Sequence, residues 1–153
     1  MTSPLDVLDP DHTIYLNNFK NIEINAKEGR TTLAEYLVCS EEEIADGGRR
    51  VVACGEREIG IFRVKGALHA WHNMCPHRQG PICQGRIYPE VIEPVDEKGE
   101  VRTLLYNEEN MHVACPWHGW EFNLETGSNA GPAKYRLHRA ELAIREGQIY
   151  VVL

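Results

Sequence analysis

No stretch of this sequence comes near the roughly 18 consecutive apolar residues that a membrane-spanning helix requires. The opening MTSPLDVLDPDH lacks the basic patch, apolar run and small-residue cleavage site of a secretory signal, so the expectation is a cytoplasmic protein with no membrane partner. Basic residues are in deficit: 16 Lys and Arg stand against 23 Asp and Glu, a net charge of −7. That balance disfavours a phosphate-binding surface and makes nucleic acid a poor partner. It leaves two readings of the acidic excess open. One is an ordinary solvated surface; the other is docking to basic proteins, where charge complementarity mainly speeds association. Internal repeats and low-complexity tracts are also absent.

Cysteine is present but unsuited to a disulfide scaffold. Cys39, Cys54, Cys75, Cys83 and Cys115 make an odd count in a chain without a secretory signal, which fits a reducing compartment. Cys39 and Cys54 lie in β-type runs and read as core, and Cys83 reads as a spectator thiol behaving as a small hydrophobe.

At 153 residues the chain suits one domain with a real core. Residues 1–34 read as an extension of unknown role, with an irregular start marked by Pro4 and Pro10 and a short strand turning near Gly29. From Glu35 the pattern sharpens. EYLVCS, RRVVACG, REIGIFRV and ALHAWHN are short strand-like runs separated by turn signals at Gly47-Gly48, Gly55 and Lys65-Gly66. Ser40 and Glu43 have the spacing of a capping box for one helical turn. YRLHRAELAIREGQIYVVL reads as two strands around Glu146-Gly147, with Leu137, Ala143 and Ile149 on one apolar face. The expected fold class is all-β, a small antiparallel sandwich or barrel over residues 35–153. An insertion at about 86–110 reads as a hairpin turning near Lys98-Gly99.

Two motifs remain, CPHRQG at 75–80 and CPWHGW at 115–120. They supply Cys75, His77, Cys115 and His118, a C-x-H and a C-x2-H. Two thiolates and two imidazoles suit either a closed tetrahedral zinc site or a [2Fe–2S] cluster with two Cys on one iron and two His on the other. Zinc fingers usually take like ligands from one turn. Here each loop gives one Cys and one His, which suits a cluster gripped between two loops. Glycines in RQGPICQG and HGW would let backbone N–H groups approach bridging sulfides.

These residues resemble the Rieske-type iron–sulfur proteins, in particular the ferredoxins of bacterial aromatic-ring oxygenase systems. The likeness is carried by CPHRQGPICQG, CPWHGWEFNLETG and GPA at 131–133, with GIFRVKGALHAWHNMCPH leading into the first motif, and it runs from about Glu35 to Leu153. It implies a base domain with a cluster-binding subdomain formed by two loops, and one [2Fe–2S] cluster per chain. Cys75 and Cys115 would hold the buried iron, and His77 and His118 the outer one at an exposed tip. Pro132 would belong to a third loop over the cluster. Gln79 stands where the family often has Gly, and the spacer between the motifs is longer than in compact ferredoxins.

The high-potential members of the family add a disulfide between the loops and hydroxyl donors to the sulfurs. Gly80 and Trp117 occupy the disulfide positions here, and Trp120 and Phe122 stand where Ser and Tyr would be. The resemblance therefore implies a potential at the low end of the Rieske range, roughly −150 mV. Trp117 and Trp120 read equally as shields for the cluster and as packing.

An oxygenase would also need a mononuclear iron held by two His and a carboxylate. His69 and His72 read as strand residues, and His12, His112 and His138 have no ligand-like context, so no such catalytic site is expected in this chain. The favoured reading is a one-electron carrier between a flavin-containing reductase and a terminal non-haem iron oxygenase. Alternatives are the Rieske small subunit of a larger oxidoreductase, of oxygenase or nitrite-reductase type, and a zinc-binding module.

Overall fold

The computed structural model describes residues 14–15, 19–26 and 29–153 apart from residue 102, with side chains from residue 33 onward. The start around Pro4 and Pro10, His12, and the turn just before Gly29 lie outside the described residues. The strands are β1 (Ile14–Tyr15), β2 (Phe19–Ala26), β3 (Gly29–Ser40), β4 (Arg49–Cys54), β5 (Arg57–Val64), β6 (Ala67–His72), β7 (Arg86–Ile92), β8 (Leu105–Ala114), β9 (Glu121–Asn123), β10 (Glu141–Arg145) and β11 (Gln148–Val152). Two short 3-10 turns, Glu41–Glu43 and Ile82–Gln84, are the helical elements among the described residues. No helix there is long and apolar enough to cross a membrane. The chain divides into two compact units, residues 1–73 with 139–153, and residues 74–138.

The first unit holds two four-stranded sheets, in the orders β1-β4-β5-β6 and β10-β11-β3-β2. Their pairs are antiparallel except β1 with β4, where Ile14 and Tyr15 run parallel to Val52 and Ala53. Two of the expected turns form the tight type that favours right-twisted hairpins: Lys65-Gly66 and Glu146-Gly147 have positive φ at both residues. Ser40 and Glu43 also meet as anticipated, the Ser40 N–H donating to Glu43 Oε1 at 2.9 Å.

One apolar cluster joins residues of both sheets, Val52, Cys54, Ile59, Ile61 and Ala70 from one and Cys39, Ile149 and Val151 from the other, so their faces pack as a sandwich. Cys39 and Cys54 are core residues, and burial pushes the Cys54 thiol up to about 12. The C-terminal register differs from the sequence reading. Ala143 pairs with Tyr150, whereas Ile149 faces Ile144. Ala143 therefore lies on the opposite face from Ile149, and Leu142 packs on the core instead. Leu137 lies before the strand. Alternation fixes which residues share a face only once the strand ends are known.

In the second unit β7, β8 and β9 form an antiparallel sheet in that order. β7 and β8 make the hairpin anticipated between the two motifs. Asp96 Oδ1 accepts the N–H groups of Lys98 at 2.8 Å and Glu100 at 3.0 Å, closing its turn. Pro89 sits on the edge strand β7 at a register shift, where a missing N–H is tolerated. Ile82, Cys83, Val113, Phe122, Leu124 and Leu137 are buried in this unit.

Ile61 is fully buried at the sandwich centre. Ile61→Ala is expected to cost about 3 kcal/mol, read from urea unfolding. A loss below about 1 kcal/mol would mean that the two sheets do not pack tightly there.

Candidate metal centre

Two loops of the second unit are closed in the same way. In the first, the Cys75 N–H donates to the Gly80 carbonyl and the Gln79 N–H donates back to the Cys75 carbonyl, both at 2.8 Å. In the second, the Cys115 N–H donates to the Trp120 carbonyl and the Gly119 N–H to the Cys115 carbonyl, again at 2.8 Å. The residues four and five places after each cysteine thus play matching parts, although histidine comes second in one loop and third in the other. Each closure needs a left-handed residue in fourth place. Gly119 supplies it with φ 68°, and Gln79 adopts the same conformation with φ 61°. The turn keeps the shape a glycine would give.

The second loop is fixed by the sheet, because it joins β8 to β9 and Ala114 pairs with Glu121 across its base. The first loop leads through the 3-10 turn Ile82–Gln84 into β7, whose Arg86 also pairs with Ala114. Both loops are therefore tied to one residue of β8. A third loop is anchored beside them, since the Ala130 N–H and Asn129 Nδ2 both donate to the Glu121 carbonyl, at 2.9 and 3.0 Å.

The loops bring like donors together. The thiols of Cys75 and Cys115 share a hydrogen bond, and the rings of His77 and His118 meet edge to face with centroids 4.8 Å apart. The fifth residue of each loop makes a contact with the other loop. A Cβ at Gly80 would lie 2.9 Å from Cys115 Sγ and 3.0 Å from the Trp117 ring, so only glycine fits without a shift. Trp120 instead stacks on His77, with centroids 4.4 Å apart and planes 3° from parallel. Tyr135 of the third loop meets Trp120 edge-on at 4.8 Å.

Local electrostatics suit a metal. Burial pushes the Cys75 thiol up, although the backbone N–H groups of His77 and Arg78 donate to its sulfur and favour the thiolate. Burial, with His118 and Arg78 nearby, pushes the His77 imidazole down and so keeps it neutral. A buried sulfur that resists ionisation becomes a thiolate when a metal supplies the positive charge. His77 Nδ1 is buried and has no hydrogen-bond partner among the described residues, a lone pair available for coordination. The donor set, two thiols on one side and two imidazoles on the other, therefore fits a two-iron group with unlike ends.

All four sequence-selected residues come together here, while His69 and His72 lie on β6 of the first unit. Cys83 is buried in the Ile82–Gln84 turn. Sequence reasoning left Trp120 undecided between shield and packing, and it covers one face of His77. It missed Tyr135, whose one signal was its place just after Pro132. It also missed a polar group behind the second loop. There Glu121 accepts the Tyr88 hydroxyl and lies 3.8 Å from the buried His112 Nδ1.

An all-β domain with two closed Cys/His loops is that of an iron–sulfur protein. The Rieske [2Fe-2S] domain family matches residues 34–141, and the chain belongs to it. Its cofactor is the family's [2Fe–2S] cluster. The chain is 24% identical over 118 residues to the ferredoxin component of the alkene monooxygenase system of Xanthobacter autotrophicus, covering 76% of this chain and 80% of that protein. It is 28% identical over 122 residues to the 3-phenylpropionate/cinnamic acid dioxygenase ferredoxin subunit of Photorhabdus laumondii, covering 79% and 96%. A solved complex of reduced oxygenase and oxidized ferredoxin in carbazole 1,9a-dioxygenase contains a chain similar in fold, with TM-score 0.54 and 25% identity over 76% of this chain and 91% of that one.

The matched left-handed positions give a paired expectation. Gln79→Gly should stabilise the iron-loaded chain by about 1 kcal/mol by removing the strain of a left-handed side chain. Gly119→Ala should cost a similar amount, about 1 kcal/mol, because an added Cβ there meets nothing within 4 Å and only the backbone is strained. Denaturant unfolding of both variants checks this; shifts of the same sign would refute the equivalence of the two loops. Gly80→Ala should behave differently. Its Cβ would push on Cys115 Sγ, and the purified protein is expected to lose iron, measured by metal assay.

Proposed function

We propose that Cys75 and Cys115 ligate one iron of the cluster, that His77 and His118 ligate the other, and that the chain is a one-electron carrier. When bound, the cluster supplies reversible one-electron chemistry; the protein positions it, tunes it and presents it to partners. The observation that carries this reading is the cross-loop pairing, thiol with thiol and imidazole with imidazole. His118 is exposed, whereas His77 is half-buried under Trp120. The His118 edge is thus the outlet through which an electron would pass. Gly80 keeps the sulfur side close and closed, and the N–H groups of His77 and Arg78 hold negative charge on Cys75.

The partners proposed are a flavin-containing reductase as donor and a terminal non-haem iron oxygenase as acceptor, in the cytoplasm. The two ferredoxin relatives, components of a monooxygenase and a dioxygenase system, support this choice.

The deciding measurement is electron paramagnetic resonance of anaerobically purified, dithionite-reduced protein, with iron and zinc assays. A rhombic signal with average g below that of an all-cysteine [2Fe–2S] centre is expected. So is its loss in Cys75→Ser and His118→Ala. Voltammetry should give a midpoint of roughly −150 mV. A silent spectrum with stoichiometric zinc would overturn the reading. Co-purification in a stable complex with larger redox subunits would instead mark a permanently assembled small subunit.

A further inference from the structure

Local and overall charge disagree at the end of the second unit that carries the donors. The chain has a net charge of −7, yet residues 75–80, 115–120 and 130–135 contain no Asp or Glu. They contain two cations, Arg78 and Lys134, both exposed. Arg78 directly follows His77. Lys134 places Nζ 5.0 Å from the Tyr135 ring centroid, and that ring meets the Trp120 that covers His77. Apolar surface is exposed on the same loops: Trp117, whose ring lies against Gly80, is 59% exposed, and Met74, which directly precedes Cys75, is 43% exposed. The nearest carboxylate in sequence, Glu121, accepts the Tyr88 hydroxyl and lies 3.8 Å from His112 Nδ1. Of the unit's other acids, Glu90, Glu93, Asp96, Glu97, Glu100, Glu108 and Glu109 gather on the β7–β8 hairpin, and Glu125 lies in the turn after β9.

We propose that this end of the second unit is the docking face for an acidic redox partner protein, one that presents carboxylates to Arg78 and Lys134 around an apolar centre received by Trp117 and Met74. The proposal rests on the carrier reading above and gives its partner a chemistry. Exposed Trp, Met and Arg are the residue types that interface centres favour. Two cations at the rim steer an acidic face toward the His118 edge and repel a basic one. Docking is thus set by the local face, and the acidic excess of the whole chain is not its signal.

Small oxidants test this without knowing the partner. Reduced, desalted protein is mixed with hexacyanoferrate(III) in a stopped-flow instrument; one electron leaves the chain's cluster and the oxidant becomes hexacyanoferrate(II). If Arg78 and Lys134 govern approach, the rate constant falls roughly fivefold as the Debye length shrinks from about 30 Å at 0.01 M salt to about 8 Å at 0.15 M. The double variant Arg78→Gln, Lys134→Gln loses that fall. Binding is read separately with redox-inert hexacyanocobaltate(III), whose cobalt-59 resonance should broaden with wild-type protein and stay narrow with the double variant. A wild-type rate that rises with salt would mean that the net charge governs, and would overturn the proposal. A fall that persists unchanged in the double variant would also overturn it. Failure of the carrier reading is distinguishable, because it removes the paramagnetic signal, whereas failure here leaves that signal intact and changes only the salt slope.

Discussion

The structure around the two cysteines depends on one repeated hydrogen-bond closure, in which a cysteine N–H donates to the carbonyl five residues on and the cysteine carbonyl accepts from the N–H four residues on. Four donors drawn from segments about forty residues apart can share one centre only if each segment has a fixed shape. The closure gives that shape without help from side chains. It also aims backbone N–H groups at the Cys75 sulfur, which burial would otherwise hold in its neutral form. A loose loop would lose both effects, since the cost of desolvating a thiolate is offset only by donors already in place.

From this closure follows a division between the two ends of the site. The fifth residue of each loop faces the other loop, and the two choices are opposite in size. Gly80 allows a close approach to Cys115 on the sulfur side. Trp120 spreads over His77 on the imidazole side and is itself backed by Tyr135. One end is compact and buried; the other is roofed by aromatics with His118 left at the surface. That asymmetry matches what unlike metal ends require, a low-dielectric sulfur pocket and a histidine edge open to a partner. Charge is partitioned in a similar way, with seven of the unit's carboxylates on the hairpin and none within residues 75–80, 115–120 or 130–135.

Much of this was legible in the sequence. The two Cys/His motifs picked out the four residues whose side chains meet in pairs across the loops, because few other chemistries need a thiol and an imidazole so close, twice. The hairpins were legible because Lys65-Gly66 and Glu146-Gly147 permit a backbone that other pairs resist. What escaped depended on contacts between distant segments. The face of Ala143 turned on where β10 begins, which alternation in a five-residue strand cannot fix. The parallel β1–β4 pair has no local signature, since a two-residue strand carries no period. The Tyr88–Glu121–His112 group escaped for the same reason: its members come from three strands and meet only because β8 lies between β7 and β9.

Gln79 shows how a departure from pattern can be reconciled by physics. The loop closure dictates a left-handed residue there, and glycine satisfies it at no cost, as at Gly119. A glutamine accepts the same conformation at a penalty of about 1 kcal/mol, which the two hydrogen bonds of the closure and the tie to β8 can bear. Ligand spacing is therefore the less fundamental feature. C-x-H and C-x2-H differ by a residue, yet both loops close at the same places. The one-residue difference goes into where each imidazole sits, His77 under Trp120 and His118 at the surface. A motif that counts residues between ligands sees two patterns, whereas the backbone sees one loop used twice.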